Sequence, residues 1–189
     1  MKFPMFPALT LCALLAGAPA AAGDAAAGEA RARGACSSCH GMDGTGLNPR
    51  WPNLGGQNDQ YLIKQLKAFR EEIRKDSYMT PMTRPLTDED IRNLAAYYSA
   101  ARPSSAVPQQ HPAGSPEKAA ICVECHGAQG VSANPEWPNL AGQKMDYLIK
   151  QMRKFRDGIR EDPLMSPVAK TLSNQEINEL AAYYAKLRP

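Results

Sequence analysis

Apolar residues recur along this chain at helical spacing. Leu62, Leu66, Phe69 and Ile73 are separated by four, three and four positions, which places them on one helix face. Leu148, Met152, Phe155 and Ile159 repeat the pattern. A later helix is expected where Ile91, Leu94, Ala95 and Tyr98 share a face, and again at Ile177, Leu180, Ala181 and Tyr184. Its start is marked in one case by a capping box, Ser173-x-x-Glu176, and in the other by the looser Thr87-x-x-Asp90. No segment alternates convincingly at the two-residue period of a strand. The pattern predicts an all-α protein.

These paired helices belong to an internal duplication with an 86-residue offset. Cys36, Cys39, His40 and Gly41 align with Cys122, Cys125, His126 and Gly127. Asn48-Pro49-x-Trp51-Pro52-Asn53-Leu54 aligns with Asn134-Pro135-x-Trp137-Pro138-Asn139-Leu140. The register holds without a gap from Cys36 to Pro103, with about half of the positions identical. Two tandem domains follow, over residues 23–102 and 117–189. The Pro-rich stretch between them, 103–116, reads as a semi-extended linker containing a solvated His111. Units of roughly 80 residues have thin cores, and the apolar positions here look too few alone. An apolar group completing each core is expected.

The first 22 residues have a different character. Lys2 is followed by the apolar run from Ala8 to Ala16 and then by small residues with two A-x-A sites, Ala18-Pro19-Ala20 and Ala20-Ala21-Ala22. This is the pattern of a cleaved secretory signal peptide. The mature chain is therefore expected in the periplasm, with Cys12 discarded and four cysteines kept. No later run of 18 apolar residues exists, so no spanning helix is expected in it. The formal charge of +3 is too small and too dispersed for a nucleic-acid-binding face.

The chemistry lies in the cysteines. Cys36-Ser37-Ser38-Cys39-His40 and Cys122-Val123-Glu124-Cys125-His126 have the attachment pattern of c-type haem. Cysteines at i and i+3 face the same way on a helical turn. Both sulfurs can then form thioethers with the vinyl groups on one porphyrin edge, and the next residue sets its imidazole beneath the ring. A zinc site would need four ligands where each copy offers three. A thioredoxin-like motif would need a strand–helix context that is missing. Two disulfides would leave the histidines unexplained. Two covalently bound haem c groups per chain are expected, held through Cys36, Cys39, Cys122 and Cys125.

The sixth iron ligand decides what such a haem can do. Met79 and Met165 align with each other, each two residues before a proline on a loop between helices. Met82 faces Val168, Met42 faces Ala128 and Met145 faces Asp59, so the repeat does not support them as ligands. Met152 and Met82 are assigned to core packing. The expected axial pairs are His40 with Met79 and His126 with Met165.

With Cys-x-x-Cys-His-Gly, the Pro52-to-Gln57 and Pro138-to-Gln143 stretches and a late methionine in each copy, the chain resembles the cytochrome c4 family over nearly its whole mature length. The resemblance implies two class I cytochrome c domains packed about a pseudo-twofold axis. It implies a respiratory electron carrier, not an enzyme, with no catalytic residues and no small-molecule substrate. Redox proteins would be its partners: a respiratory donor complex, and a terminal oxidase or other acceptor. Peripheral association with the membrane is compatible with that role. A dihaem electron-accepting subunit of a dehydrogenase is the alternative; a dihaem peroxidase is disfavoured because it would need one open iron. The family likeness also suggests that backbone near Pro49 and Pro135 accepts the histidine Nδ1–H. It further suggests Trp51, Gln57, Tyr61 and Arg74, with Trp137, Gln143, Tyr147 and Arg160, as propionate or haem-wall residues.

Overall fold

The computed structural model describes residues 22–101 and 114–188. The proposed signal peptide and most of the proposed linker, with Cys12 and His111, lie outside the described residues. Among those described there are nine helices and no strand. In the N-terminal half these are α1 (Ala25–Ala35), α2 (Ser37–His40), α3 (Asp59–Arg70), α4 (Met79–Thr83) and α5 (Asp88–Ala100). The C-terminal half has α6 (Ala119–His126), α7 (Met145–Arg156), α8 (Met165–Lys170) and α9 (Asn174–Lys186).

Each half is organised by its last helix. Ile91, Leu94, Ala95 and Tyr98 of α5 are buried, as are Ile177, Leu180, Ala181 and Tyr184 of α9. Both helices open with complete capping boxes, Thr87 with Asp90 and Ser173 with Glu176, so the looser sequence pattern works as well as the standard one. Helix α1 crosses α5 closely enough that a Cβ at Gly28 would overlap the carbonyl oxygen of Asn93. Gly34, six residues on, faces open space.

The second apolar face is shorter than its periodicity predicts. Leu62 and Phe69 are buried, and Leu66 packs against the N-terminal core, but Ile73 is 76% exposed and Ile159 is 68% exposed. The helices stop before reaching them. The chain turns into the left-handed region at Glu72 (φ 59°) and Gly158 (φ 70°), and the N–H of Arg74 closes back on the Ala68 carbonyl at 2.9 Å. That is a helix C-terminal motif normally reserved for glycine, met in the first copy by a glutamate.

The two halves are joined by polar contacts in pseudo-twofold pairs. The Asn53 N–H donates to Gln143 Oε1 at 2.8 Å, and the Asn139 N–H donates to Gln57 Oε1 at 2.8 Å. In return Gln143 Nε2 donates to the Asn53 carbonyl (2.9 Å) and Gln57 Nε2 to the Asn139 carbonyl (3.0 Å). Deeper in, Arg74 donates to Gln65 of its own half (2.7 Å) and to Gln151 (2.9 Å) and Tyr147 (3.0 Å) of the other. Arg160 mirrors this with Gln151 (2.8 Å), Gln65 (2.8 Å) and Tyr61 (3.3 Å). Each guanidinium also stacks over a phenylalanine, Phe69 or Phe155, at 4.4 and 4.3 Å from the ring centre.

The two glycines of α1 should respond oppositely to alanine. Gly34→Ala is expected to stabilise by about 0.5–1 kcal/mol, because a helical glycine is replaced without a clash. Gly28→Ala should destabilise by about 1–3 kcal/mol through overpacking. Denaturant midpoints of the two holoproteins check this; effects of the same sign would contradict the close α1–α5 crossing.

Candidate functional site

Each attachment motif sits at a helix end. In the first copy Cys36 follows α1, its N–H bonded to the Ala32 carbonyl at 2.9 Å, and α2 carries Cys39 and His40 one turn further. In the second, α6 carries Cys122, Cys125 and His126 on one continuous helix. The chain then reverses at Gly41 (φ 71°) and Gly127 (φ 77°). A side chain there would be strained by φ and would overlap Thr45 or Val131 backbone, which explains the glycine after each histidine. All four thiols are free and half-buried. Burial pushes the Cys36 and Cys122 thiols above their ordinary range. Among the described residues no three His, Cys, Asp or Glu side chains converge into a metal cage.

The histidines are buried, 6% exposed at His40 and 5% at His126. Burial pushes both below the ordinary imidazole range, which favours the neutral ring. In each, Nδ1 lies against a proline carbonyl: Pro52 at 3.1 Å and Pro138 at 2.9 Å. A neutral ring with its proton on Nδ1 leaves the Nε2 lone pair free for a metal. The acceptors are therefore Pro52 and Pro138, within three residues of Pro49 and Pro135, near which the acceptor was expected. The loop's own bonds bring them there. Gly44 O accepts the Leu54 N–H at 2.7 Å, and Asn53 Oδ1 accepts the Gly46 N–H at 3.1 Å. Gly130–Leu140 and Asn139–Ser132 repeat the pair.

Met79 and Met165 open the short helices α4 and α8, rather than lying on open loops, and both are half-buried. Asp76 Oδ1 accepts the N–H groups of Tyr78 (3.1 Å) and Met79 (3.4 Å). Asp162 Oδ1 does the same for Leu164 and Met165, both at 3.0 Å. Met82, expected in the core, is 46% exposed, because α4 turns it outward next to buried Thr83. Met145 is also exposed, whereas Met152 packs against the C-terminal core as expected.

This donor set fits a c-type haem in each half: two free thiols one turn apart, a neutral imidazole with Nε2 unengaged, and a thioether on a separate capped helix. Tyr61, Gln57, Arg74 and their repeats contact the opposite domain. Their partners Asn53 and Gln65 and the equivalents, and Asp76 with Asp162 ahead of the methionines, were not read from the sequence as interface or site residues. A signal existed, since all three are polar positions kept identical in both copies.

Comparison with known proteins agrees with the geometry. Residues 25–100 match the "Cytochrome c" family model, and residues 110–183 match "Cytochrome C oxidase, cbb3-type, subunit III". The chain is 39% identical over 176 residues to cytochrome c4 of Thiocapsa roseopersicina, covering 85% of this chain and 91% of that protein. It is 34% identical over 168 residues to a thiosulfate dehydrogenase electron acceptor of Thiomonas intermedia, covering 79% and 77%. The crystal structure of reduced recombinant cytochrome c4 from Pseudomonas stutzeri superposes with a TM-score of 0.77 at 34% identity, covering 88% of this chain and all of that one.

Asn53 and Asn139 tie the histidine-orienting loops to the domain interface, since their Nδ2 groups also donate to Gly142 and Gly56 carbonyls at 2.9 Å. Asn53→Ala strands an acceptor and a donor. A loss of about 1–3 kcal/mol per stranded partner is expected, measured by guanidinium unfolding of the holoprotein, with a similar loss for Asn139→Ala. An unchanged midpoint would mean that water replaces both contacts.

Proposed function

The chain belongs to the cytochrome c4 family, and on that premise we propose that it is a periplasmic carrier passing electrons from a respiratory donor to a terminal oxidase. It is a dihaem electron-transfer protein, not an enzyme, with two haem c groups covalently bound. The observation that supports the carrier role is the duplication of a complete donor set. In our assignment Cys36 and Cys39 bind one haem and Cys122 and Cys125 the other. His40 with Met79, and His126 with Met165, are the axial pairs. When bound, each haem supplies a one-electron ferric–ferrous couple, and methionine–histidine ligation raises its potential.

The chain's own residues do the rest. The Pro52 and Pro138 carbonyls fix the tautomer and ring plane of the histidines. Asp76 and Asp162 fix the backbone from which the methionines extend. Were His40 with Met79, and His126 with Met165, to hold the two bound haems, no substrate would reach iron. The signal pattern in residues 1–22 supports periplasmic export, and among the described residues no helix is long and apolar enough to cross a membrane. The domain limits stay at 23–102 and 117–189, with 103–116 as linker.

A second reading has its own support. The Thiomonas relative is named as the electron acceptor of a thiosulfate dehydrogenase, so this chain would take electrons from such an enzyme. Co-purification as a stable complex with a dehydrogenase would favour that reading. Isolation as a free protein that is rapidly oxidised by oxidase-containing membranes would favour the carrier.

Two measurements test the assignment itself. Intact mass should show the cleaved chain plus two haem masses. The reduced wild type should bind almost no carbon monoxide, whereas Met79→Ala and Met165→Ala should each open one haem to it and lower that haem's potential, because a soft neutral thioether favours ferrous iron. Met82→Ala should leave the ferric methionine-to-iron band intact. Rapid stoichiometric carbon monoxide binding by wild type would overturn the filled-site assignment.

A further inference from the structure

The helices that carry the methionines and the contact between the domains meet at one carboxylate in each half. Asp76 divides its two oxygens. Oδ1 accepts the backbone N–H groups of Tyr78 and Met79, while Oδ2 faces Nζ of Lys150 at 3.4 Å and of Lys154 at 3.8 Å, both from the opposite domain. Its own N–H donates to Thr80 Oγ1 at 3.1 Å, closing the turn ahead of α4. Asp162 repeats the arrangement. Its Oδ1 accepts from Leu164 and Met165, its N–H donates to Ser166 Oγ at 3.0 Å, and its Oδ2 faces Lys64 Nζ at 3.9 Å across the interface. The symmetry is broken by one residue. The counterpart of Lys154 is Ala68, so Asp76 faces two ammonium groups where Asp162 faces one.

We infer that Asp76 and Asp162 are positioning residues for Met79 and Met165, and that the lysines opposite them make each methionine site responsive to the other domain, the N-terminal site more strongly. This rests on the methionine ligand assignment proposed above. An exposed ion pair contributes little to stability, but these groups are partly withdrawn from water: the side chains of Asp76, Lys154 and Lys150 are 19%, 23% and 37% exposed. The lysines act on charge and placement, not on folding energy. A cation held near a haem favours its reduced form. Two cations delivered by the C-terminal domain therefore bias the N-terminal haem toward reduction, through the residue that sets its methionine.

The test uses full-length holoprotein. Two readouts are needed: a two-term spectroelectrochemical titration, and the methionine ε-methyl NMR signals of the reduced protein, assigned with Met79→Ala and Met165→Ala. The Lys150→Met, Lys154→Ala double variant should lower the N-terminal potential, moving the electron's distribution between the haems on the order of threefold toward the C-terminal site. It should shift the Met79 signal and leave the Met165 signal in place. Lys64→Met should give the reverse pattern with a smaller change. Asp76→Asn keeps an acceptor oxygen for the cap but removes the charge, and should raise the N-terminal potential. Equal shifts at both haems, no shift at either, or a shift confined to the C-terminal haem after the double substitution would overturn the inference alone. If Met79→Ala left both ε-methyl signals and the ferric methionine-to-iron band unchanged, the ligand assignment would fall and this inference with it.

Discussion

A backbone amide withdrawn from water needs a hydrogen-bond partner, and the half-buried Asn53 and Asn139 find partners for theirs on the opposite domain. That constraint reaches further than an ordinary contact. The residue before each asparagine is the proline whose carbonyl orients the histidine, and the asparagine side chain also holds the loop's own turn. One segment of a few residues therefore fixes the imidazole and docks the domains together. Separating the halves would expose three polar groups of each asparagine: its backbone N–H, its carbonyl and its side-chain Nδ2. It would also loosen the frame in which each histidine is held.

The interface is polar and the cores are small. The apolar clusters around α5 and α9 hold a handful of buried side chains each and lie within separate halves. Hydrogen bonds with neutral partners join them. The Arg74–Gln65–Arg160–Gln151 ring joins two guanidinium groups through amide oxygens. Burial alone would push the Tyr147 phenol upward, but Arg74 and Arg160 more than offset this and hold it below its ordinary range. Two guanidinium groups, one from each half, thus share the same pair of amide oxygens at the contact between the domains.

Local features were legible in the sequence. Capping boxes, the buried face of the last helix, the attachment motifs and the 86-residue repeat each depend on residues near one another, or on identity between copies. Ile73 and Ile159 were misplaced because an apolar period has no stop signal of its own. Gly158 marks the end of the helix in one copy, and Glu72 hides it in the other. The exact histidine acceptor was not legible, only its neighbourhood, because a loop has no period that singles out one carbonyl. Met82 was misplaced because a short helix turns it to solvent. The cross-domain pairs were invisible to hydrophobic patterning, which does not register an asparagine bonded to a glutamine 90 residues away. Identity between copies was the signal there. Asn53, Gln65 and Asp76 are unchanged at positions where a surface residue would be free to drift.

Duplication within one chain permits what a symmetric dimer of single domains cannot. In a homodimer with twofold symmetry every contact occurs twice, so both sites have the same surroundings. Here the backbone frame keeps the twofold pairing while individual positions have diverged. Lys144 reaches the carbonyls of Gly46 and Asn48, whereas its counterpart Asn58 donates to those of Trp137 and Asn134. Lys154 stands opposite Ala68, and Glu72 opposite Gly158. The linked halves also meet at a high effective concentration, so a weak polar interface suffices to hold them. Divergence between the copies gives the two attachment motifs different surroundings, while the shared loop contacts that divergence has left intact hold the halves together.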